Sequence, residues 1–182
     1  MTMQNPQQGE DATAYVALGS NQGDRVEHLR SAVAALRQVG RVEAVSSFYE
    51  TAPVGAVAQP DFLNAVVALQ TTWPPLELMA ALLRIEQQHG RDRSVSVPKG
   101  PRTLDLDLLS YGDMVMETPS LTLPHPALAE RRFVLVPFEE IAPHWRHPVS
   151  GKTAAELLAA VSRADEKLSQ TVRKMQTPEP AP

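Results

Sequence analysis

The sequence predicts an α+β fold of the ferredoxin-like, split β-α-β kind: an antiparallel sheet with both helices on one face, plus short C-terminal additions. Three observations predict it. Between residues 13 and 109 the apolar pattern alternates between strand and helix periods in the order β-α-β-β-α-β. A chain of 182 residues has the length of a single domain. At that size roughly 70% of the unfolded surface can be buried, which is enough for a core without staples. Eight of the 16 prolines fall between Pro98 and Pro148, which excludes a long helix there and restricts the chain beyond Leu109 to short elements.

Each element has its own signal. Residues 13–18, TAYVAL, form a short apolar run ending at Gly19 and read as a buried strand. After the turn SNQG, Asp24 and Glu27 make a variant capping box, and Val26, Leu29, Val33 and Leu36 recur at helical spacing until Gly40. Residues 42–50, VEAVSSFYE, are β-branched and aromatic and read as a second strand. A third, residues 63–72, comes after a loop containing Pro53, Gly55 and Pro60. Pro74 and Pro75 open a second helix with Leu76, Met79 and Leu83 on one face, closed by His89 and Gly90. Residues 91–101 lack periodicity and read as a loop, and residues 103–109 alternate as a fourth strand. Thr153 and Glu156 then cap a helix over residues 154–164. Residues 1–12 are expected to be a disordered tail, 13–165 one domain, and 166–182 the end of that helix with a proline-rich tail.

Composition removes several classes of function. With no cysteine, the chain has no disulfide, thiolate zinc site, iron–sulfur cluster or cysteine nucleophile, which fits a cytoplasmic setting. The net charge of -4 argues against a general nucleic-acid coat or a basic membrane binder. The first dozen residues lack the apolar core of a signal peptide, and LMAALL at 78–83 is too short to span a bilayer. The charge is unevenly spread, since residues 84–102 hold five basic and two acidic side chains. No nucleic acid and no membrane are therefore expected as partners. The sequence carries no sign of an oligomeric state, and a monomer is the default.

That basic stretch abuts the most informative motif, GPRTLDLDLL at 100–109. In a strand Asp105 and Asp107 stand on one face, while Leu104, Leu106 and Leu108 face the core. Adjacent carboxylates ask for a cation or basic groups between them, and such oxygens suit Mg²⁺, which completes its shell with water and phosphate. The plainer alternative is an edge strand whose polar face meets water. Arg91, Arg93, Lys99 and Arg102 precede the pair, and Arg131 and Arg132 come after it. Their guanidinium forks fit phosphate oxygens, although Arg91 and Arg93 also read as solvated loop charges. The SNQG turn is a tight turn first and an anion or substrate contact second, matching neither the P-loop nor G-x-G-x-x-G. Phe62 and Asn64, on the far side of a long loop, read singly as a core ring and a turn amide, and together as a ring and an amide for a flat, hydrogen-bonding heterocycle. No two histidines have metal-ligand spacing.

Taken in order, ALGSNQGD at 17–24, SSFYETAPVG to QPDFLNAVVAL at 46–69 and RIEQQHGRDR at 84–93 form a set with GPRTLDLDLL at 100–109, LTLPHP at 121–126 and RRFVLVPFEEIAP at 131–143. The set resembles the 6-hydroxymethyl-7,8-dihydropterin pyrophosphokinase family of folate biosynthesis, over roughly residues 13–148. The resemblance implies a ferredoxin-like fold and transfer of the β,γ-pyrophosphate of ATP to the pterin hydroxymethyl group, with release of AMP. It implies two Mg²⁺ ions on Asp105 and Asp107, ATP as co-substrate, and Arg91 and Arg102 beside them in catalysis. Thr51, Val54 and Asn64 would read the pterin's polar edge, and Phe62 and Phe133 would sandwich its ring. Glu86, Arg91, Arg93, Arg102, Leu108, Thr122, His125 and Arg131 would surround ATP. The chain departs from the family locally. Pro98-Lys99 replaces a frequent Arg-Trp in a loop one residue longer than in some members, Phe62 replaces a frequent Tyr, and Pro126 stands next to His125. A rival reading, a ferredoxin-like RNA-binding module, fits poorly with 5% aromatic residues and an acidic chain. A third, a pterin binder without turnover, is opposed by the intact Asp105, Asp107 and Arg102.

Overall fold

The computed structural model describes residues 11–55, 58–91, 100–164 and 171–176. Strand β1 (Ala12–Ser20) runs through the middle of an antiparallel sheet, between β4 (Phe62–Thr71) and β5 (Asp105–Tyr111). β4 is long enough to pair at one end with β2 (Arg41–Val45) and at the other with β3 (Tyr49–Thr51). A last strand, β8 (Val172–Lys174), adds to the free side of β3. β6 (Met116–Glu117) and β7 (Thr122–Leu123) form a separate small ribbon.

The stretch 42–50, expected as one strand, is two. Ser46 explains the break: its hydroxyl accepts from the Val66 N–H at 2.9 Å, while its own N–H donates to the Val66 carbonyl at 2.9 Å. A side-chain oxygen thus takes a place that a backbone carbonyl would hold in a continuous ladder. Beyond it the chain rejoins β4 in a new register, Tyr49 opposite Asn64 and Thr51 opposite Phe62.

One face of the sheet is covered by α1 (Arg25–Leu36) and α2 (Pro75–Gln88). Asp24 caps α1 by accepting from Glu27 N–H at 3.0 Å, and Leu29, Ala32 and Leu36 bury its inner stripe. Pro75 occupies the first turn of α2, where no N–H is needed. The buried stripe of α2 is Leu78, Ala81, Leu82 and Ile85, so the face expected from Leu76, Met79 and Leu83 is corrected. Leu76 is 46% exposed. The helix is apolar nearly all round, and periodicity alone does not choose which stripe the sheet covers.

The second face is covered too, by helices that follow the split β-α-β unit, where only short elements were expected before residue 153. α3 (Arg132–Ile141) buries Val134, Leu135 and Phe138 against Val66 and Leu109 of the sheet, and α4 (Ala154–Ala164) adds Leu157. α3 carries Pro137 inside it, which is why proline density hides a ten-residue helix. α4 starts as expected, with Thr153 N–H donating to Glu156 at 2.8 Å and Glu156 N–H to Thr153 at 3.1 Å. β8 lies where only a helix end and tail were expected. Among the described residues no helix is long and apolar enough to cross a membrane.

Candidate active site

Alternation along three neighbouring strands gathers the polar residues on the α3 side of the sheet. Leu104, Leu106 and Leu108 pack into the α1/α2 core, which turns Asp105 and Asp107 the other way. Register then sets the neighbours: Gly19 of β1 lies between Asn64 of β4 and Asp105 of β5, and Ala17 lies opposite Asp107. A side chain at Gly19 would place its Cβ 3.0 Å from Asn64 Oδ1 and 3.9 Å from both Phe62 and Asp105. Glycine keeps this floor open.

α3 does not reach over this end of the sheet, and a cavity of about 980 Å³ remains between them. Its walls include Thr51, Val54, Phe62, Asn64, Arg102, Asp105, Asp107, Arg131 and Phe133. Nine residues named from the sequence thus come together in one space. Thr51 is buried and its hydroxyl accepts from Asn64 Nδ2 at 2.5 Å, which orients the Asn64 amide. The guanidinium of Arg102 sits 5.3 Å from the Phe62 ring centre, and that of Arg131 sits 5.8 Å from the Phe133 ring centre.

A second cavity of about 240 Å³ shares Asp107 with the first and is lined by Leu108, Thr122 and His125. His125 Nδ1 accepts from Ala127 N–H at 3.1 Å, so the ring proton of the neutral form lies on Nε2. Burial lowers the His125 pKa below its ordinary value despite the pull of Asp107.

The carboxylates are crowded by cations. Asp105 accepts from Arg91 and, at 2.9 Å, from Arg102, and Asp107 pairs with Arg131 at 3.7 Å. Even so, burial first and the charge of Asp105 second push the Asp107 carboxyl above its usual range. Arg91 is held from behind: Glu86, 1% exposed, receives Arg91 at 2.8 Å and the Leu106 N–H at 2.8 Å. Glu86 and Arg91 thus form a linked network with Asp105 and are not among the residues that line either cavity. Arg93 and the 94–99 loop with Pro98-Lys99 lie outside the described residues.

Asn21, in the turn SNQG, is the residue that sequence reasoning misses. It is 2% exposed, and its Nδ2 donates to Gln59 at 2.9 Å and to the Pro60 carbonyl at 3.1 Å. The turn stands out in the sequence for its backbone groups, and the amide inside it is the available signal. Arg25 similarly reaches Glu50 at 2.6 Å and the Asp61 carbonyl at 3.0 Å, tying α1 to both sides of the loop before Phe62.

The family model for 7,8-dihydro-6-hydroxymethylpterin-pyrophosphokinase (HPPK) matches residues 15–143, which include every residue of this site. The chain belongs to the HPPK family. A 2-amino-4-hydroxy-6-hydroxymethyldihydropteridine pyrophosphokinase of Synechocystis is 47% identical over 150 residues, covering 81% of this chain and 75% of the relative. The Bacillus subtilis protein of that name is 49% identical over 130 residues, 70% of this chain and 77% of the relative. Among solved structures, a Plasmodium falciparum HPPK-DHPS chain superimposes with a TM-score of 0.70 at 15% identity, over 90% of this chain and 48% of that one. Another HPPK-DHPS, in complex with substrates, gives 0.68 at 13% identity, over 87% and 44%. The HPPK chain described here thus spans less than half of those solved chains, and the likeness concerns the fold.

The larger cavity has parts that phosphoryl-group chemistry can use: two carboxylates, one of them shared with the smaller cavity, the guanidinium groups of Arg102 and Arg131, and two aromatic rings. Among the described residues no cluster of three His, Asp or Glu forms a closed metal cage. A two-carboxylate set is what a cation that keeps its waters and phosphate ligands requires, so Asp105 and Asp107 fit Mg²⁺.

Proposed function

We propose that this HPPK carries out its family's transfer with the pterin in the larger cavity, the nucleotide entering through the smaller one, and the reaction at their junction. The reaction moves the β,γ-pyrophosphate of ATP to the hydroxymethyl group of 6-hydroxymethyl-7,8-dihydropterin, giving the pterin diphosphate and AMP. The chain is thereby a pyrophosphokinase of folate biosynthesis. The observation that carries the site assignment is Asp107, which lines both cavities beside Asp105 on one face of β5.

Asp105 and Asp107 would hold two Mg²⁺ ions, which supply charge neutralisation for the triphosphate. Asp105 engages Arg91 and Arg102 here, and exchanging a guanidinium for a cation would release that arginine toward a phosphate. Arg102, beside Asp105, and Arg131, beside Asp107, stabilise the charge that builds on the moving group. His125 would offer its Nε2 proton to the nucleotide, with Leu108 and Thr122 forming the wall around it. Arg93 completes this reading of the ATP side.

The pterin would lie between Phe62 and Phe133, with the Asn64 amide and the Thr51 and Val54 backbone at its polar edge. Holding the hydroxyl in line with the β-phosphorus is most of the work asked of these residues. The hydroxyl oxygen bonds to that phosphorus as the bond to the α-phosphate oxygen breaks and AMP leaves. The hydroxyl proton passes to Asp105 or Asp107, the two carboxylates beside the junction of the cavities.

The sheet order β5-β1-β4-β2, with α1 and α2 on one face, supports the ferredoxin-like split β-α-β reading, and α3 and α4 are additions to it. A monomeric, cytoplasmic enzyme completes the proposal. Incubation with ATP, Mg²⁺ and 6-hydroxymethyl-7,8-dihydropterin, then nucleotide separation, is expected to give AMP only when the pterin is present. ADP as product, or no turnover, overturns the reading.

A further inference from the structure

β8 lies beyond the residues that the family model matches, yet it pairs with β3, the strand whose Thr51 lines the larger cavity. It pairs Tyr49 with Lys174, Glu50 with Arg173 and Thr51 with Val172, and the Met175 N–H donates to the Phe48 carbonyl at 2.8 Å. β3 is only three residues long, and its other side meets Phe62, Leu63 and Asn64 of β4. Two-stranded pairing of so short a segment is weak, so the strand that bears Thr51 depends on β8 for its second set of backbone partners.

Glu140 closes the arrangement from α3. Its Oε1 accepts from Ser47 N–H at 3.0 Å and Ser47 Oγ at 2.8 Å and lies 3.8 Å from Lys174 Nζ, while its Oε2 accepts from the Tyr49 hydroxyl. One carboxylate therefore joins α3, the end of β2, β3 and β8. α3 also carries Phe133, two turns earlier, and β3 carries Thr51, so Glu140 ties together two walls of the cavity. The nucleotide-side residues Leu108, Thr122 and His125 stand on other parts of the chain, with Leu108 on β5 and Thr122 on β7.

We propose that β8, latched by Glu140, is a positioning element of the pterin half of the site, setting the spacing between Phe133 on α3 and the Thr51–Asn64 pair on β3 and β4. The inference rests on placing the pterin in the larger cavity. Its consequence is selective: loosening the latch widens the slot and weakens pterin binding, while the nucleotide side is unaffected.

Three variants address it: Glu140→Gln, which keeps the shape and removes the charge, Tyr49→Phe, which removes one hydroxyl, and Met175→Pro, which removes the N–H that bonds Phe48. Pterin affinity is read by the fluorescence of 6-hydroxymethylpterin, and nucleotide affinity by a fluorescent ATP analogue, each on full-length protein with its melting temperature. The expected result is a loss of pterin affinity of about fivefold or more in each variant, with nucleotide affinity within twofold of the parent, and partial recovery in Glu140→Asp. Equal loss for both ligands, or no loss for the pterin, overturns the proposal. The unmutated protein separates this failure from that of the cavity assignment, since a parent that does not bind the pterin refutes the assignment itself.

Discussion

Asn21 and Arg102 hold each other in both directions: the Arg102 N–H donates to Asn21 Oδ1 at 2.8 Å, and the Asn21 N–H donates to the Arg102 carbonyl at 3.1 Å. The amide nitrogen of the same side chain carries the loop at Gln59 and Pro60. A single buried amide thus links the segment bearing Arg102, just before β5, to the loop preceding Phe62, and both of those residues line the larger cavity.

Asn21→Ala removes three of those hydrogen bonds and leaves the part-buried Arg102 N–H without its acceptor, which costs about 1 to 3 kcal/mol of stability. Misplacing Arg102 and Phe62 together is expected to lower kcat/KM by on the order of a hundredfold. Melting curves and steady-state kinetics with each substrate varied check both parts. A lower melting temperature with unchanged kinetics would make Asn21 a structural residue only.

Asp107→Asn separates stability from activity. The native carboxylate is disfavoured by burial and by Asp105, so the neutral amide relieves a strain that the free enzyme carries. Relief of a like-charge neighbour of this kind amounts to about 0.5 kcal/mol, an upward shift of about 1 to 2 °C in melting temperature at this chain length. Turnover should fall by at least about a thousandfold, because the group that lines both cavities no longer carries charge. A variant that keeps its kcat removes the assignment of Asp107.

How much of this is legible in the sequence depends on the range of each signal. Strands β1, β4 and β5, the stretch that holds β2 and β3, and helices α1 and α2 announce themselves through local periodicity, and Asp105 and Asp107 through alternation against three leucines. Asn21 does not, because its partners stand 38 to 81 positions away and only the folded chain brings them together. α3 is hidden by Pro137, whose missing N–H is tolerated in a helix anchored by Val134, Leu135 and Phe138. β8 is hidden by its length of three residues, too short for any period, since its existence depends on the open edge of β3. The candidate site residues come from motif order, and what the motifs do not reveal is that Glu86 and Arg91 are linked to Asp105 in one ion-pair network.

Gly19→Ala tests the floor of the larger cavity with one methyl group. The added Cβ would stand 3.0 Å from Asn64 Oδ1, closer than most real contacts, and Asn64 is held by its 2.5 Å bond to Thr51. Either the amide rotates away from the pterin edge or the methyl intrudes on the ring space. The pterin KM is expected to rise about tenfold, in line with a loss of about 1.4 kcal/mol, while the ATP KM stays within twofold. Direct pterin titration checks it, and an unchanged KM would place the heterocycle away from Gly19.

His125 gives a pH prediction whose sign comes from its surroundings. Burial lowers its pKa below the ordinary 6.5, against the opposing pull of Asp107 and Asp105 and with a further push from Arg131. A group depressed in the folded state contributes stability that is fully present above the unfolded value, and that contribution is lost as pH falls through the lower folded value. Melting temperatures of the parent should therefore decline below about pH 6.5 more steeply than those of His125→Gln, which cannot titrate. Proton NMR of the imidazole should show a midpoint below 6.5, with the neutral ring protonated on Nε2 because Nδ1 is occupied by the Ala127 N–H. A midpoint above 6.5 would mean that the two aspartates outweigh burial, and the imidazole would then meet the nucleotide as a cation rather than as a neutral donor.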